Sequence, residues 1–127
     1  MAVYKILVVE DSEALRKVLA EKLRDEKYEV LEAAGGEEGL KIALEQKPDM
    51  IITDVVMFPV DGLEMALKIR QSGSWGDNVL IIALTNQNSQ EEEARLTGLN
   101  LNAYLVKAET GLDDVVRHVK EVFKTKK

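Results

Sequence analysis

Five short apolar runs, at residues 3–9, 28–33, 50–53, 79–84 and 102–106, alternate with longer stretches in which apolar side chains recur every three or four positions. Short runs read as strands and the recurring spacing as helices, and strand-helix units repeated in this way build a parallel sheet. The first, third and fourth runs show no polar alternation, as expected of central strands covered by helices on both faces. Run 28–33 carries Glu29 and Glu32 and is predicted to be an edge strand. Leu15, Val18, Leu19 and Leu23 form one helical stripe, and Leu112, Val115, Val116, Val119, Val122 and Phe123 form another. Both stripes are predicted to be core. Helix starts are marked by Ser12, Asp61 with Glu64, Ser89 with Glu92, and Thr110 with Asp113, where a short oxygen side chain can satisfy free backbone N–H groups. The pair Gly35-Gly36 opens the second helix. The pattern predicts five strands and five helices, the thinnest apolar face belonging to the helix at 90–97, and it leaves 71–78 (QSGSWGDN) as a surface loop.

Polar residues stand where the strands end. Glu10 and Asp11 follow YKILVV, Asp54 follows MIIT, Thr85 follows VLIIAL, and Lys107 follows AYLV. In a parallel sheet these ends share one edge, so residues scattered along the chain meet around a single crevice. Carboxylates gathered there raise one another's proton affinity, and a divalent cation relieves the repulsion. Carboxylate, carbonyl and water oxygens suit magnesium. Lys107 can pair with Asp54 or hold an incoming phosphoryl oxygen, and the Thr85 hydroxyl can donate to the same oxygen. Together they describe a phosphoryl-transfer site with Asp54 as nucleophile, the metal and Lys107 neutralising charge on the phosphoryl oxygens and Thr85 orienting one of them. An ionised carboxylate needs no general base.

Composition narrows the class. A chain of 127 residues is the size of one domain with a real core. No apolar run approaches the roughly 20 residues of a bilayer-spanning helix, and the start lacks the features of a signal peptide, so a soluble, cytoplasmic protein without membrane contact is expected. The absence of cysteine excludes disulfides, thiolate catalysis and cysteine zinc sites. A net charge of -6 disfavours direct nucleic-acid binding, which relies on neutralising phosphates; only the tail at 124–127 is basic.

With these residues in place, the chain resembles the receiver domain of bacterial two-component response regulators, of the single-domain chemotaxis-regulator type. The matching pieces are ILVVEDS at 6–12, IITDVVM and DG within 51–62, ALT at 83–85 and AYLVK at 103–107, and the likeness runs from about Lys5 to Phe123 of a single domain spanning 1–127. The resemblance implies a flavodoxin-like doubly wound sheet in the strand order 2-1-3-4-5. It implies that Asp54 accepts a phosphoryl group from a histidine kinase or histidine phosphotransfer protein. Mg²⁺ would be coordinated by Asp11, Asp54 and the backbone carbonyl of Val56, with Glu10 acting through a metal-bound water. Thr85 and Lys107 would bind the phosphoryl group, and Tyr104 matches the aromatic whose rotamer follows Thr85. The output would be a changed binding face near Tyr104 for a partner protein, presented by a monomer or a phosphorylation-dependent dimer, with self-phosphorylation and slow self-dephosphorylation as the only enzymatic activity.

The chain departs from the family pattern in places. Met57-Phe58-Pro59 stands where Met-Pro is common, Asn86 where a small residue usually follows the threonine, and Ala108 where a proline, often cis, follows the lysine. A cis bond before Ala108 would cost about 2.5–4 kcal/mol, so trans is expected. Val56 and Gln87 occupy the positions that flank the attacking water in the family. These departures suggest one alternative, a receiver used as a phosphorylation-independent docking module. Another alternative is a metal-dependent phosphatase of the Asp-nucleophile type, but its second Asp is replaced by Val56. His118 reads as surface charge on the last helix, Trp75 as a loop anchor, and Glu91-Glu92-Glu93 as a solvated helix start. Gly35-Gly36 lacks the spacing of a dinucleotide fingerprint.

Overall fold

The computed structural model describes residues 3–86 and 90–125, with nothing stated of the Gln90 side chain. Ser89, expected to cap a helix, and Gln87 lie outside the described residues. The elements run β1 (Lys5–Val9), α1 (Glu13–Asp25), β2 (Glu29–Ala33), α2 (Gly36–Gln46), β3 (Met50–Asp54), α3 (Gly62–Arg70), α4 (Ser74–Asn78), β4 (Leu80–Thr85), α5 (Gln90–Arg95), β5 (Ala103–Val106), a 3-10 turn (Lys107–Glu109) and α6 (Leu112–Lys124). All five strands pair in parallel in the order β2-β1-β3-β4-β5. The edge position expected for the second strand is therefore observed.

Alternation along the central strands divides the core into two layers. Ile6, Val8, Met50, Ile52 and Ile82 join one cluster with Leu19 and Leu23 of α1 and Val115 and Val119 of α6. Leu7, Val9, Ile51, Ile81 and Ala83 join the other, with Ala43 of α2 and Met65, Ala66 and Ile69 of α3. Both faces of the sheet are covered, which explains why these strands read as unbroken apolar runs.

Among the described residues six α-helices form where five are expected. The addition is α4, within the stretch read as a loop. Its turn-forming composition hides two tertiary anchors: Trp75 Nε1 donates to the Pro48 carbonyl at 3.0 Å, and Arg70 Nη1 donates to the Gly76 and Val79 carbonyls at 2.9 and 2.6 Å. Gly76 is required because a Cβ there would lie 1.9 Å from the Ile69 carbonyl oxygen. Trp75 is thus the anchor expected of it.

Several local expectations hold and others shift. Asp61 caps α3, its Oδ1 accepting from the Glu64 amide at 2.8 Å, and Ser12 Oγ accepts from the Leu15 amide at 3.4 Å. Gly35 caps α2. Thr110 does not cap the last helix; it closes the 3-10 turn, and Gly111 takes the cap. In α1 the buried stripe is Leu19, Ala20 and Leu23, whereas Leu15 and Val18 are exposed. These two lie beyond the strip of α1 that faces the sheet, so a periodicity count assigned too wide a core face. His118 lies half-buried on α6. Among the described residues the one cis peptide is Phe58–Pro59, and the bond before Ala108 is trans as expected.

Candidate functional site

The register brings the strand-end residues together. Val9 pairs with Thr53, Asp54 with Leu84, and Thr85 with Val106, so the next residues along β1 and β5, Glu10 and Lys107, emerge beside Asp54 on one edge. Close backbone packing beneath the acid comes from Gly62, whose amide donates to the Val55 carbonyl at 2.8 Å and where a Cβ would stand 2.0 Å from the Asp54 carbonyl oxygen. Only glycine lets α3 begin this close. Its sequence signal is the DG pair that follows the third strand.

Lys107 bridges two of the acids: its Nζ lies 2.8 Å from Glu10 Oε1 and 3.1 Å from Asp54 Oδ1. Glu10 Oε2 accepts from the Ser12 amide at 3.1 Å, and Asp54 Oδ1 from the Val55 amide at 3.1 Å. Glu10, Asp54 and Thr85 are buried, while Asp11 is exposed. One carboxylate oxygen from each of Glu10, Asp11 and Asp54 lies within 4.8 Å of the others. Inward of this ring a largely apolar cavity of about 270 Å³ runs between α1 and α6, with Leu15 at its wall.

The electrostatics follow from three carboxylates facing one ammonium. Burial, followed by the charge of Glu10, pushes the Asp54 carboxyl up to about 6 against the pull of Lys107. Asp11 is raised by its hydrogen bond with Glu10. Glu10 is the exception to the expected mutual raising. Burial opposes its charge, but hydrogen bonds with Lys107, Asp11 and the Ser12 amide outweigh that and hold it below the usual range. Burial likewise opposes the charge of Lys107, yet Glu10 and Asp54 hold its pKa above the ordinary lysine value. The cluster thus strengthens the hold of Asp54 on a proton, which marks where further positive charge is wanted. Closely spaced hard oxygens in excess of the local cation suit a divalent ion.

The remaining predicted residues are placed as follows. Val56 lies two residues past Asp54 in the loop before α3 and is 60% exposed. Thr85 ends β4, and Tyr104, on the adjacent strand β5, is half-buried. The Tyr104 hydroxyl donates a hydrogen bond to Glu92 Oε1 of α5. Burial and then that carboxylate push the phenol up to about 12, with a hydrogen bond to Thr85 acting the other way. Glu92 was read only as part of a helix start; nothing in its local sequence signals a partner on β5. Asn86 is exposed, and Phe58 is 93% exposed.

Residues 6–120 match the family model described as the response regulator receiver domain. The chain belongs to the response regulator receiver family. This receiver is 37% identical over 118 residues to the transcriptional regulatory protein AfsQ1 of Streptomyces coelicolor, covering 90% of this chain and 50% of that protein. It is 36% identical over 99 residues to the alkaline phosphatase synthesis transcriptional regulatory protein PhoP of Bacillus subtilis, covering 78% and 39% respectively. The chain therefore spans half or less of the length of these curated relatives. Among solved structures, the chemotaxis protein CheY4 of Vibrio cholerae superimposes with a TM-score of 0.86 at 30% identity, covering 95% of this chain and 99% of that one. As a receiver, this domain is a phosphorylation-dependent signalling module of two-component systems. Among the described residues no helix is long and apolar enough to cross a membrane.

Proposed function

We propose that the receiver takes a phosphoryl group onto Asp54 from a phosphohistidine of a histidine kinase or phosphotransfer protein, with Mg²⁺ held by Asp11, Asp54 and the Val56 carbonyl, and by Glu10 through a water. The observation that carries this reading is the Lys107 ammonium lying between Glu10 and Asp54, at 2.8 and 3.1 Å, beside a group of three carboxylates. A carboxylate oxygen of Asp54 forms the new bond to phosphorus as the bond to the histidine nitrogen breaks, and the imidazole keeps the bonding electrons. Bound Mg²⁺ supplies charge neutralisation at the phosphoryl oxygens and favours the ionised form of Asp54. Lys107 already stands at the acceptor and can follow a phosphoryl oxygen, while the Thr85 hydroxyl can donate to the same oxygen.

The conversion replaces a singly charged carboxylate by a group with more charge and three acceptor oxygens. Recruitment of Thr85 changes its hydrogen bond with Tyr104, and Tyr104 is also held by Glu92 on α5. The face of α5 and β5 is therefore the one that responds, and an output protein reads it. Exposed Leu15 and Val18 on α1, beside the crevice, suit contact with the phosphodonor protein. We assign the 1–127 chain to one receiver acting in the cytoplasm.

The test is treatment with a small-molecule phosphodonor with and without Mg²⁺, followed by intact mass. The wild-type chain gains one phosphoryl group only with the metal, and Asp54→Asn gains none. An unmodified wild type, or equal modification of Asp54→Asn, overturns the reading.

A further inference from the structure

One half-buried arginine near the acidic edge is not used by the chemistry above. Arg16 sits on the first turn of α1 with its side chain only 13% exposed. Its guanidinium is forked between the residue that follows β1 and the edge strand β2. Nη1 donates to the backbone carbonyl of Glu10 at 3.0 Å, and Nε donates to Glu32 Oε1 of the edge strand at 3.3 Å. Glu32 is itself only 18% exposed, and it also meets Lys17 at 3.5 Å and Arg24 at 3.2 Å. The arginine is therefore anchored from the β2 side by a carboxylate that other cations hold in place.

What Arg16 grips is the peptide joining Glu10 to Asp11. That single peptide plane sets the relative direction in which the two acids leave the backbone. Its other neighbours are also fixed: the Glu10 amide donates to the Ala33 carbonyl at 3.1 Å, and the Glu10 carboxylate accepts from the Ser12 amide at 3.1 Å. The carbonyl is the remaining handle, and Arg16 holds it. Lysine cannot replace this grip, since a point charge lacks the planar fork that reaches two acceptors at once.

We infer that Arg16 is a positioning residue for divalent-metal binding: clamped by Glu32, it orients the Glu10–Asp11 peptide so that both carboxylates face the cation, without touching the cation itself. This rests on the reading of Glu10, Asp11 and Asp54 as the Mg²⁺ site. It has a sign that distinguishes it from simple electrostatics. Arg16 is a positive charge near a cation site, so by charge alone its removal would tighten Mg²⁺ binding. Loss of orientation weakens it.

The experiment measures Mg²⁺ affinity by calorimetry, and phosphorylation rate by a small phosphodonor across a Mg²⁺ series, for wild type, Arg16→Met, Arg16→Lys and Lys17→Met. Arg16→Met is expected to bind Mg²⁺ roughly tenfold more weakly, the low end of the effect of an outer partner of a metal ligand. Its phosphorylation rate is expected to recover to within about threefold of wild type at saturating Mg²⁺, by the same reasoning that only the orientation of the ligands is lost. Arg16→Lys, which keeps the charge, is expected to be weakened too. Lys17→Met removes a charge from the same Glu32 without touching Glu10, and is expected to leave the affinity unchanged or slightly tighter. Tighter or unchanged binding in Arg16→Met overturns the inference, as does an equal weakening in Lys17→Met. If Arg16→Met fails to fold, as read by thermal unfolding without metal, Arg16→Lys carries the test, and wild-type affinity in that variant overturns the inference. A wild-type chain that binds no Mg²⁺ removes the site reading itself, and the inference with it.

Discussion

Two half-buried cations stand in different regions of this fold, and their surroundings explain why one region is scaffold and the other is reactive. Arg70, at the end of α3, donates to the carbonyls of Leu99, Gly76, Val79 and Asn100 at 2.8, 2.9, 2.6 and 3.0 Å. Its acceptors are neutral dipoles, fixed by backbone, and burial lowers its pKa with only the charge of Asp77 acting against that. Lys107 instead faces carboxylates in excess, and they raise its pKa in spite of burial. The Arg70 centre is satisfied and has one low-energy arrangement. The Lys107 centre keeps a charge imbalance that an added cation or phosphoryl group resolves, which is the condition for a switch.

The strongest way to break this contrast is Arg70→Met. Stripping several buried or half-buried carbonyls of their donor is expected to cost about 3–4 kcal/mol, read by urea denaturation. The variant that still folds should keep phosphorylation by a small phosphodonor near the wild-type rate. A cost below about 1 kcal/mol would mean the arginine is not the scaffold described.

Lys107→Met should do the reverse. Phosphorylation is expected to fall by more than tenfold, as for loss of a preorganised charge at developing phosphoryl charge, with a stability loss of about 2 kcal/mol at neutral pH from the uncompensated acids. With the ammonium gone, the carboxylates rise further toward protonation in the folded state. The stability loss should therefore shrink as pH is lowered toward 4. A pH-independent loss would assign Lys107 to packing.

Asp54→Asn sharpens the comparison from the acid side. The folded carboxyl stands at about 6 against 3.8 for the free group, so between these values the folded state holds the extra proton and raising the pH removes stability. The neutral amide avoids that cost. It should stabilise the metal-free protein by about 2 kcal/mol above pH 6, with the gain vanishing below about pH 4. A destabilised Asp54→Asn at pH 7.5, measured by denaturant titration without metal, would contradict the charge imbalance. The smallest effect is that of the metal: Mg²⁺ at ten times its dissociation constant should add about 1.4 kcal/mol to the wild type, reversed by chelation, and distinctly less to Asp54→Asn. Equal stabilisation of both would place the ion elsewhere.

Much of this molecule is local in origin. Apolar runs and three-to-four spacing are consequences of which face each segment buries, so the parallel sheet, its edge strand at Glu29–Ala33 and the strand-end positions of Glu10, Asp11, Asp54, Thr85 and Lys107 can be read along the chain. The meeting of Lys107 with Glu10 and Asp54 follows from parallel pairing together with the strand order β2-β1-β3-β4-β5, which the family resemblance implied. Other features depend on groups brought near one another by the fold. Helix α4 forms in a turn-rich stretch because Arg70 and Trp75 hold it. Leu15 and Val18 keep the periodicity of a core and yet face outward, because the packing partner is narrower than the stripe. Glu92 meets Tyr104, and Arg16 meets the Glu10 carbonyl, across separations with no sequence pattern. The sign of the shift at Glu10 belongs to the same group: burial and ion pairing oppose each other there, and the outcome depends on distances of about 3 Å that a residue's identity does not encode.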